Sequence, residues 1–142
     1  MFDQPIRNVM ERRKFLTAPP EMTVSSAARL MASKNTGAIL VVKSKHLVGI
    51  FSERDAVFRV MAKGKDPETT LLSEVMTPSP VSMGPSQSFG HALLLMQEKG
   101  FRHIPVVEDG HPIGIISSRN AMDPDLEEFV FEARRREHLR HS

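Results

Sequence analysis

Between residues 20 and 57 the apolar positions change period twice. Val24, Ala27, Ala28 and Met31 fall at helical spacing behind Thr23, a residue suited to capping a helix N-terminus. Ala38 to Lys43 is then a short β-branched run. Ser44-Lys45-His46 reads as a turn and Leu47 to Phe51 as a second strand, so the two runs predict a hairpin. A further helix is expected to start at Ser52. The same order returns downstream. Ser88 precedes Phe89, Ala92, Leu93 and Met96; Ile104 to Glu108 and Pro112 to Ile116 flank the turn Asp109-Gly110-His111; a helix is expected from Ser117. Gly37 and Gly100 follow the first helix of each unit and read as its C-terminal breaker.

The recurrence is a duplication. Displaced by 65 residues, Pro20 falls on Pro85, Ala27 on Ala92, Leu30-Met31 on Leu95-Met96 and Lys34 on Lys99. Val41-Val42 then falls on Val106-Val107, His46 on His111, Gly49-Ile50 on Gly114-Ile115, Ser52 on Ser117 and Arg54 on Arg119, without a gap. The fold class predicted is mixed α+β: two units of strand, helix, strand, strand, helix. Their expected extents are 8–66 and 73–126, with a C-terminal helix and tail over 127–142. Gly64 to Glu68 reads as the linker, and a short helix around Ser73 to Met76 leads into the second unit. One unit of about 60 residues would bury too little surface alone. Two packed face to face about a pseudo-twofold axis would share a core and leave two quasi-equivalent clefts.

Composition narrows the function classes. The chain has 142 residues and is 40% apolar, with no Trp, Tyr or Cys and with nine Met. Disulfide and thiolate chemistry are excluded, and the Met residues read as adaptable core fillers. No apolar run approaches a membrane span and the N-terminus does not resemble a signal peptide, so a soluble, cytoplasmic protein is expected. A net charge of +2 makes no general case for nucleic acid. Arg134, Arg135, Arg136 and Arg140 follow an apolar stripe of Leu126, Phe129, Val130 and Ala133, as basic residues do at a helix C-terminus. That stripe must cover the chain's own body or a second copy.

The candidate chemistry lies after the hairpins, at Ser52-Glu53-Arg54-Asp55 and Ser117-Ser118-Arg119-Asn120. Ser with an acid or amide three residues on is a capping device. A helix start also suits a phosphate, an Arg there adds a forked donor, and a carboxylate can accept both hydroxyls of a ribose. Gly49-Ile50-Phe51-Ser52-Glu53-Arg54-Asp55, Arg102-His103-Ile104-Pro105-Val106-Val107 leading to Gly114-Ile115-Ile116-Ser117, and Met76-Thr77-Pro78-Ser79-Pro80-Val81 resemble the signatures of cystathionine-β-synthase-type (CBS) repeats. The resemblance spans roughly residues 8 to 126.

It implies a disc-like pair, a Bateman module, that binds AMP, ADP, ATP or NAD(H) in clefts mixing the two repeats. One cleft would join Ser52, Glu53, Arg54 and Asp55 to Pro80, Val81, Arg102, His103, Ile104 and Pro105. Asp55 would hold the ribose, Ser52 and Arg54 the phosphate, and the backbone near His103 and Ile104 the adenine edge. Loss of Asp55 to Ala is expected to remove affinity and leave the fold intact. The other cleft would join Ser117, Ser118, Arg119 and Asn120 to Leu16, Thr17, Thr36, Gly37, Ala38 and Ile39. There Asn120 stands where the pattern has Asp, which replaces a charged acceptor by a weaker neutral one.

A homodimer and an unknown protein effector acting in trans are the partners this implies. A structural adaptor with unused clefts is the alternative. An enzyme is not expected, because no nucleophile–base pair is recognisable. No metal site is expected either: His46 and His111 occupy the same turn in both units, but no Cys or dense acid cluster accompanies them.

Overall fold

A computed structural model describes residues 3–10 and 15–118, together with 133, 135 and 136. β1 (Thr17–Ala18), α1 (Val24–Lys34), β2 (Ala38–Lys43), β3 (His46–Ser52) and α2 (Glu53–Asp55) make the first repeat. α2 runs on as a π-helix, Ala56–Met61. α3 (Leu72–Val75), β4 (Thr77–Pro78), α4 (Phe89–Lys99), β5 (His103–Glu108) and β6 (His111–Ser117) follow. Residues 133, 135 and 136 are helical. The rest of the expected C-terminal helix, and Arg119 and Asn120, lie outside the described residues.

The two long helices start as their sequences predict. The Thr23 hydroxyl accepts the Ser26 N–H at 3.2 Å, and the Ser88 hydroxyl accepts the His91 N–H at 3.2 Å. One of their ends differs from expectation. α4 closes on Gly100 (φ 71°), but α1 closes on Asn35 (φ 53°, ψ 46°) and not on Gly37. Asn reaches the left-handed region because its short polar side chain bonds locally. The turn is complete there, with Thr36 N–H donating to the Met31 carbonyl at 3.0 Å. Gly37 is needed for something else.

β1 to β4 form one sheet in that order, with β1 parallel to β2 and the other neighbours antiparallel; β5 and β6 form a separate hairpin. Both hairpins bulge at the same place, between Val41 and Val42 and between Val106 and Val107. Met83 serves β5 as β1 serves β2: its N–H donates to the Pro105 carbonyl at 3.0 Å and its carbonyl accepts the Val107 N–H at 2.9 Å.

The packed units are not the units of the sequence. Ile6 and Met10 belong to the second repeat's core, among Met83, Phe89, Ala92, Met96, Ile104, Val106 and Ile116. Leu72 and Val75, where the second repeat opens, belong to the core of the first, with Val24, Ala27, Met31, Ile39, Val41 and Phe51. β4 then pairs with β3, Gly49 opposite Pro78 and Ile50 opposite Thr77. A third cluster, Ala38, Leu40, Ile50 and Ile115, joins the two sheets. Among the described residues, no helix is long and apolar enough to cross a membrane.

Ile6 is fully buried, and its N–H donates to the Gln87 carbonyl at 2.8 Å. If the N-terminal segment closes the second core, Ile6→Ala costs about 2–5 kcal/mol, read as a lower urea midpoint. A loss below about 0.5 kcal/mol, the level of a surface change, would show the segment to be dispensable.

Candidate functional site

A cavity of about 780 Å³ lies between the repeats, at the C-terminal end of β3 and the N-terminal end of β5. Ile50, Ser52 and the first turn of α2 form its floor. Val57, Phe58 and Arg59 of the π-helix form one wall, and Lys99 to His103 of the second repeat form the other. Thr77, Ser79, Pro80 and Val81 close a third side. A π-helix is rare and concentrates at functional sites. Here the wider turn is closed by Ala62 N–H donating to the Val57 carbonyl at 2.9 Å.

Ser52, Glu53, Arg54, Asp55, Pro80, Val81, Arg102 and His103 all line this cavity, as the sequence led us to expect. Ile104 and Pro105 lie behind it, fully buried. β5 turns alternate side chains to opposite faces, and Ile104 sits in the second core. The Pro105 carbonyl is taken by Met83.

Of the other candidate set, Gly37 lines this same cavity. Ala38 and Ile39 are buried in the cores, and the Leu16 carbonyl accepts the Leu40 N–H at 2.8 Å. Thr17 is exposed on β1 and Thr36 half-buried. Ser117 pairs with His103, and Ser118 N–H donates to the Arg102 carbonyl at 2.7 Å. That bond repeats the one from Glu53 N–H to the Gly37 carbonyl at 3.0 Å. Arg119 and Asn120 would complete this second set from outside the described residues.

Ser52 does not present a free helix end. Its N–H and hydroxyl both donate to Asp55 Oδ2, at 2.9 and 3.2 Å, and its hydroxyl oxygen accepts the Asp55 N–H at 3.4 Å. This is a complete capping box. With Glu53 N–H on Gly37, most donors of the first turn are engaged. The phosphate contact expected of Ser52 would have to compete with the cap, which leaves side-chain cations as the free anion ligands.

Asp55 is only 6% exposed. Its second oxygen has looser partners: Thr77 Oγ1 at 3.4 Å and Arg59 Nε at 3.5 Å. Arg59 is anchored in turn, Nη1 donating to the Met76 carbonyl at 2.9 Å. Arg59 and Thr77 were missed in the sequence, although Arg59 lies at the i+4 position from Asp55, where a helical ion pair forms. Phe58 was also missed; the Arg54 guanidinium sits 4.7 Å over its ring. The lining carries four cations (Arg54, Arg59, Lys99, Arg102) and two acids (Glu53, Asp55), which makes the cavity net positive.

Gly37 explains itself here. A side chain at this position would run into the Glu53 carboxylate and meet His103 Cε1 at 3.3 Å. The glycine lets an acid from one repeat and an imidazole from the other share one corner. Burial lowers the His103 pKa below 6.5; Glu53 opposes the shift and Arg102 adds to it.

The sign of that shift gives a test. The unfolded chain takes up the His103 proton near pH 6.5, before the folded protein does, so this residue's contribution to stability falls as pH drops through that value. It levels off below the folded pKa. His103→Gln should flatten that part of the stability profile between pH 7.5 and 5.5 in urea titrations. An unchanged slope would show that His103 does not titrate in this way.

The comparisons with known proteins agree with this architecture. The CBS domain model matches residues 6–62 and 72–124. The CBS domain-containing protein YhcV of Bacillus subtilis is 38% identical over 101 residues, 71% of each chain. CBSCBSPB3 of Arabidopsis thaliana is 39% identical over 104 residues, 72% of this chain, which spans only 19% of that relative's length. Among solved structures, a protein with CBS domains from Burkholderia ambifaria superposes with a TM-score of 0.72 at 34% identity, covering 78% of this chain and 80% of that one. CBSX2, solved in complex with AMP, gives a TM-score of 0.72 at 26% identity over 87% of this chain and 96% of that one. With two matched repeats covering most of its length, this chain belongs to the CBS domain family.

Proposed function

We propose that the cavity between the repeats binds an adenine nucleotide (AMP, ADP, ATP or NAD(H)) and that the chain is a non-catalytic regulatory module signalling to a partner protein. The observation that carries this reading is the placement of Asp55. A buried carboxylate stands at the floor of an open, net-positive cavity, with one oxygen locked by the cap and the other held only by long contacts. Vicinal hydroxyls of a ribose would replace the Thr77 and Arg59 contacts with shorter ones. Arg54, Lys99 and Arg102 would take the phosphate, and Val57, Phe58 and Val81 offer apolar surface for the base. The AMP bound by the related CBSX2 supports the ligand class.

A structural reading has its own observation. Phe58 and Met61 are 55% and 74% exposed on the π-helix, apolar surface that a second copy would cover. A homodimer is therefore part of the proposal and is compatible with occupied cavities.

Asp55→Ala would not be a clean test, contrary to the sequence expectation, because it also removes the capping box, worth about 1 kcal/mol. Asp55→Asn keeps an acceptor for Ser52 while placing an amide NH₂ among the groups the ribose meets. By calorimetry the wild type should bind at least one of AMP, ADP, ATP and NADH with a Kd in the micromolar-to-millimolar range, roughly −8 to −4 kcal/mol. Asp55→Asn should weaken that binding at least about tenfold, or 1.4 kcal/mol. No binding to any of the four, or equal affinity in the variant, would overturn the assignment.

A further inference from the structure

We propose that Arg59 and Thr77 stand in for the hydroxyls of a ribose on Asp55, and that their displacement passes the occupancy of the cavity to the chain that enters the second repeat. This role rests on the nucleotide reading above and concerns how the same site signals.

Both residues use one oxygen. Thr77 Oγ1 donates to Asp55 Oδ1 at 3.4 Å, and Arg59 Nε lies 3.5 Å from the same atom. All three residues line the cavity. A carboxylate that is only 6% exposed needs such partners, because burial removes the water that would otherwise solvate it. Well-made hydrogen bonds to a carboxylate are shorter, about 2.5–2.9 Å. Arg59 and Thr77 therefore satisfy Oδ1 without holding it tightly, which is the condition for exchange with a pair of sugar hydroxyls.

The two donors meet at one peptide. Arg59 Nη1 donates to the Met76 carbonyl at 2.9 Å, and that carbonyl belongs to the peptide joining Met76 to Thr77. Met76 closes α3, and Thr77 begins β4 opposite Ile50. A guanidinium holds its donors in a fixed fork, so Arg59 ties Asp55 to this junction as a single bridge. Displacing Arg59 and Thr77 from Asp55 removes two ties that hold the junction to the first repeat.

The chain beyond the junction is built to respond. Ser79 sits at φ 44°, uncommon for a residue with a side chain and one step before Pro80, where extended backbone is favoured. Such strain persists only where the surroundings impose it. Here the Ser79 N–H is held on the Val48 carbonyl at 3.1 Å, and Ser79 lines the cavity too. Further along, Met83 is bonded on both sides to β5, through the Pro105 carbonyl at 3.0 Å and the Val107 N–H at 2.9 Å. A short stretch of main chain thus runs from the partners of Asp55 to the strand that carries His103 on the other wall. Its one strained residue loses part of its hold when Thr77 is released.

The test compares AMP, ADP and ATP with their 2′,3′-dideoxy forms, which keep base and phosphates and lack the displacing hydroxyls. The full chain is saturated with each, as judged by calorimetry, and exchange of the Ser79 amide hydrogen is followed by NMR. Coupling between sites typically amounts to about 5- to 150-fold, so Ser79 should exchange at least about fivefold faster with a nucleotide than with its dideoxy form. If a dideoxy form fails to bind, the ligand-free chain serves as its reference with the same threshold. Equal or slower exchange would overturn the proposal and leave the nucleotide site in place. No binding by any of the three would overturn it through the reading it rests on. Thr77→Val and Arg59→Met each lack one tie and should narrow the difference to about twofold or less, below the range of a working coupling. A phosphate role for Arg59 would instead weaken both forms alike and leave the difference intact. A difference as large as the wild type's in either variant would therefore also overturn the proposal. If Arg59→Met lowers the urea midpoint, Arg59→Lys takes its place. A lone ammonium does not bridge two acceptors as the fork does, so the same narrowing is expected, and its absence counts equally against the proposal.

Discussion

Each repeat is too short to bury a sufficient core of its own, and the chain answers this by exchanging segments. Ile6 and Met10, from the start of the first repeat, fill the core of the second. Leu72 and Val75, from the start of the second, fill the core of the first. Ala38, Leu40 and Ile50 then meet Ile115 where the sheets adjoin. Neither repeat is therefore an independent folding unit, and the space between them is bounded by main chain that crosses from one to the other. A cavity built in this way changes shape when the repeats shift, which is the property a regulatory site needs.

Asp55 carries the tension in that arrangement. It is the N3 partner of the Ser52 cap, which fixes the first turn of α2. It also faces Thr77, on the strand that opens the second repeat. Arg59 ties the same carboxylate to the Met76 carbonyl. The closer contacts are on Oδ2, which serves the helix, and the longer ones on Oδ1, which reaches Thr77 and Arg59.

Much of this was legible in the sequence because a duplication states its own fold. The 65-residue displacement placed both hairpins and both long helices, and the resemblance to CBS repeats pointed to eight of the residues that line the cavity. Three things were hidden, for physical reasons. Ile104 follows His103 in a motif, but a strand alternates its faces and Ile104 points into the second core; Pro105, on the face of His103, is fully buried and does not line the cavity. Gly37 looked like a helix breaker, whereas Asn35 ends the helix and Gly37 makes room for Glu53 and His103, a requirement that only tertiary contact reveals. Arg59 and Phe58 were missed because they lie beyond the Ser52-to-Asp55 motif at which the sequence reading stopped. The π-helix from Ala56 to Met61 brings Val57, Phe58 and Arg59 together on the cavity wall.

The repeats are equivalent in sequence and unequal in chemistry, and the inequality is placed with some logic. Glu53 N–H bonds the Gly37 carbonyl in one repeat and Ser118 N–H the Arg102 carbonyl in the other, so the duplicated main chain is preserved. The side chains on that scaffold are not: the pair is Glu53 with Gly37 on one side and Ser118 with Arg102 on the other. Glu53 and Arg102, one from each repeat, face the same cavity with His103 in their combined field. Glu53 and Arg102 thus bring opposite charges from the two repeats into one cavity. A duplicated scaffold supplies paired positions, and divergence at positions such as 37 and 102 gives the two members of a pair different chemistry.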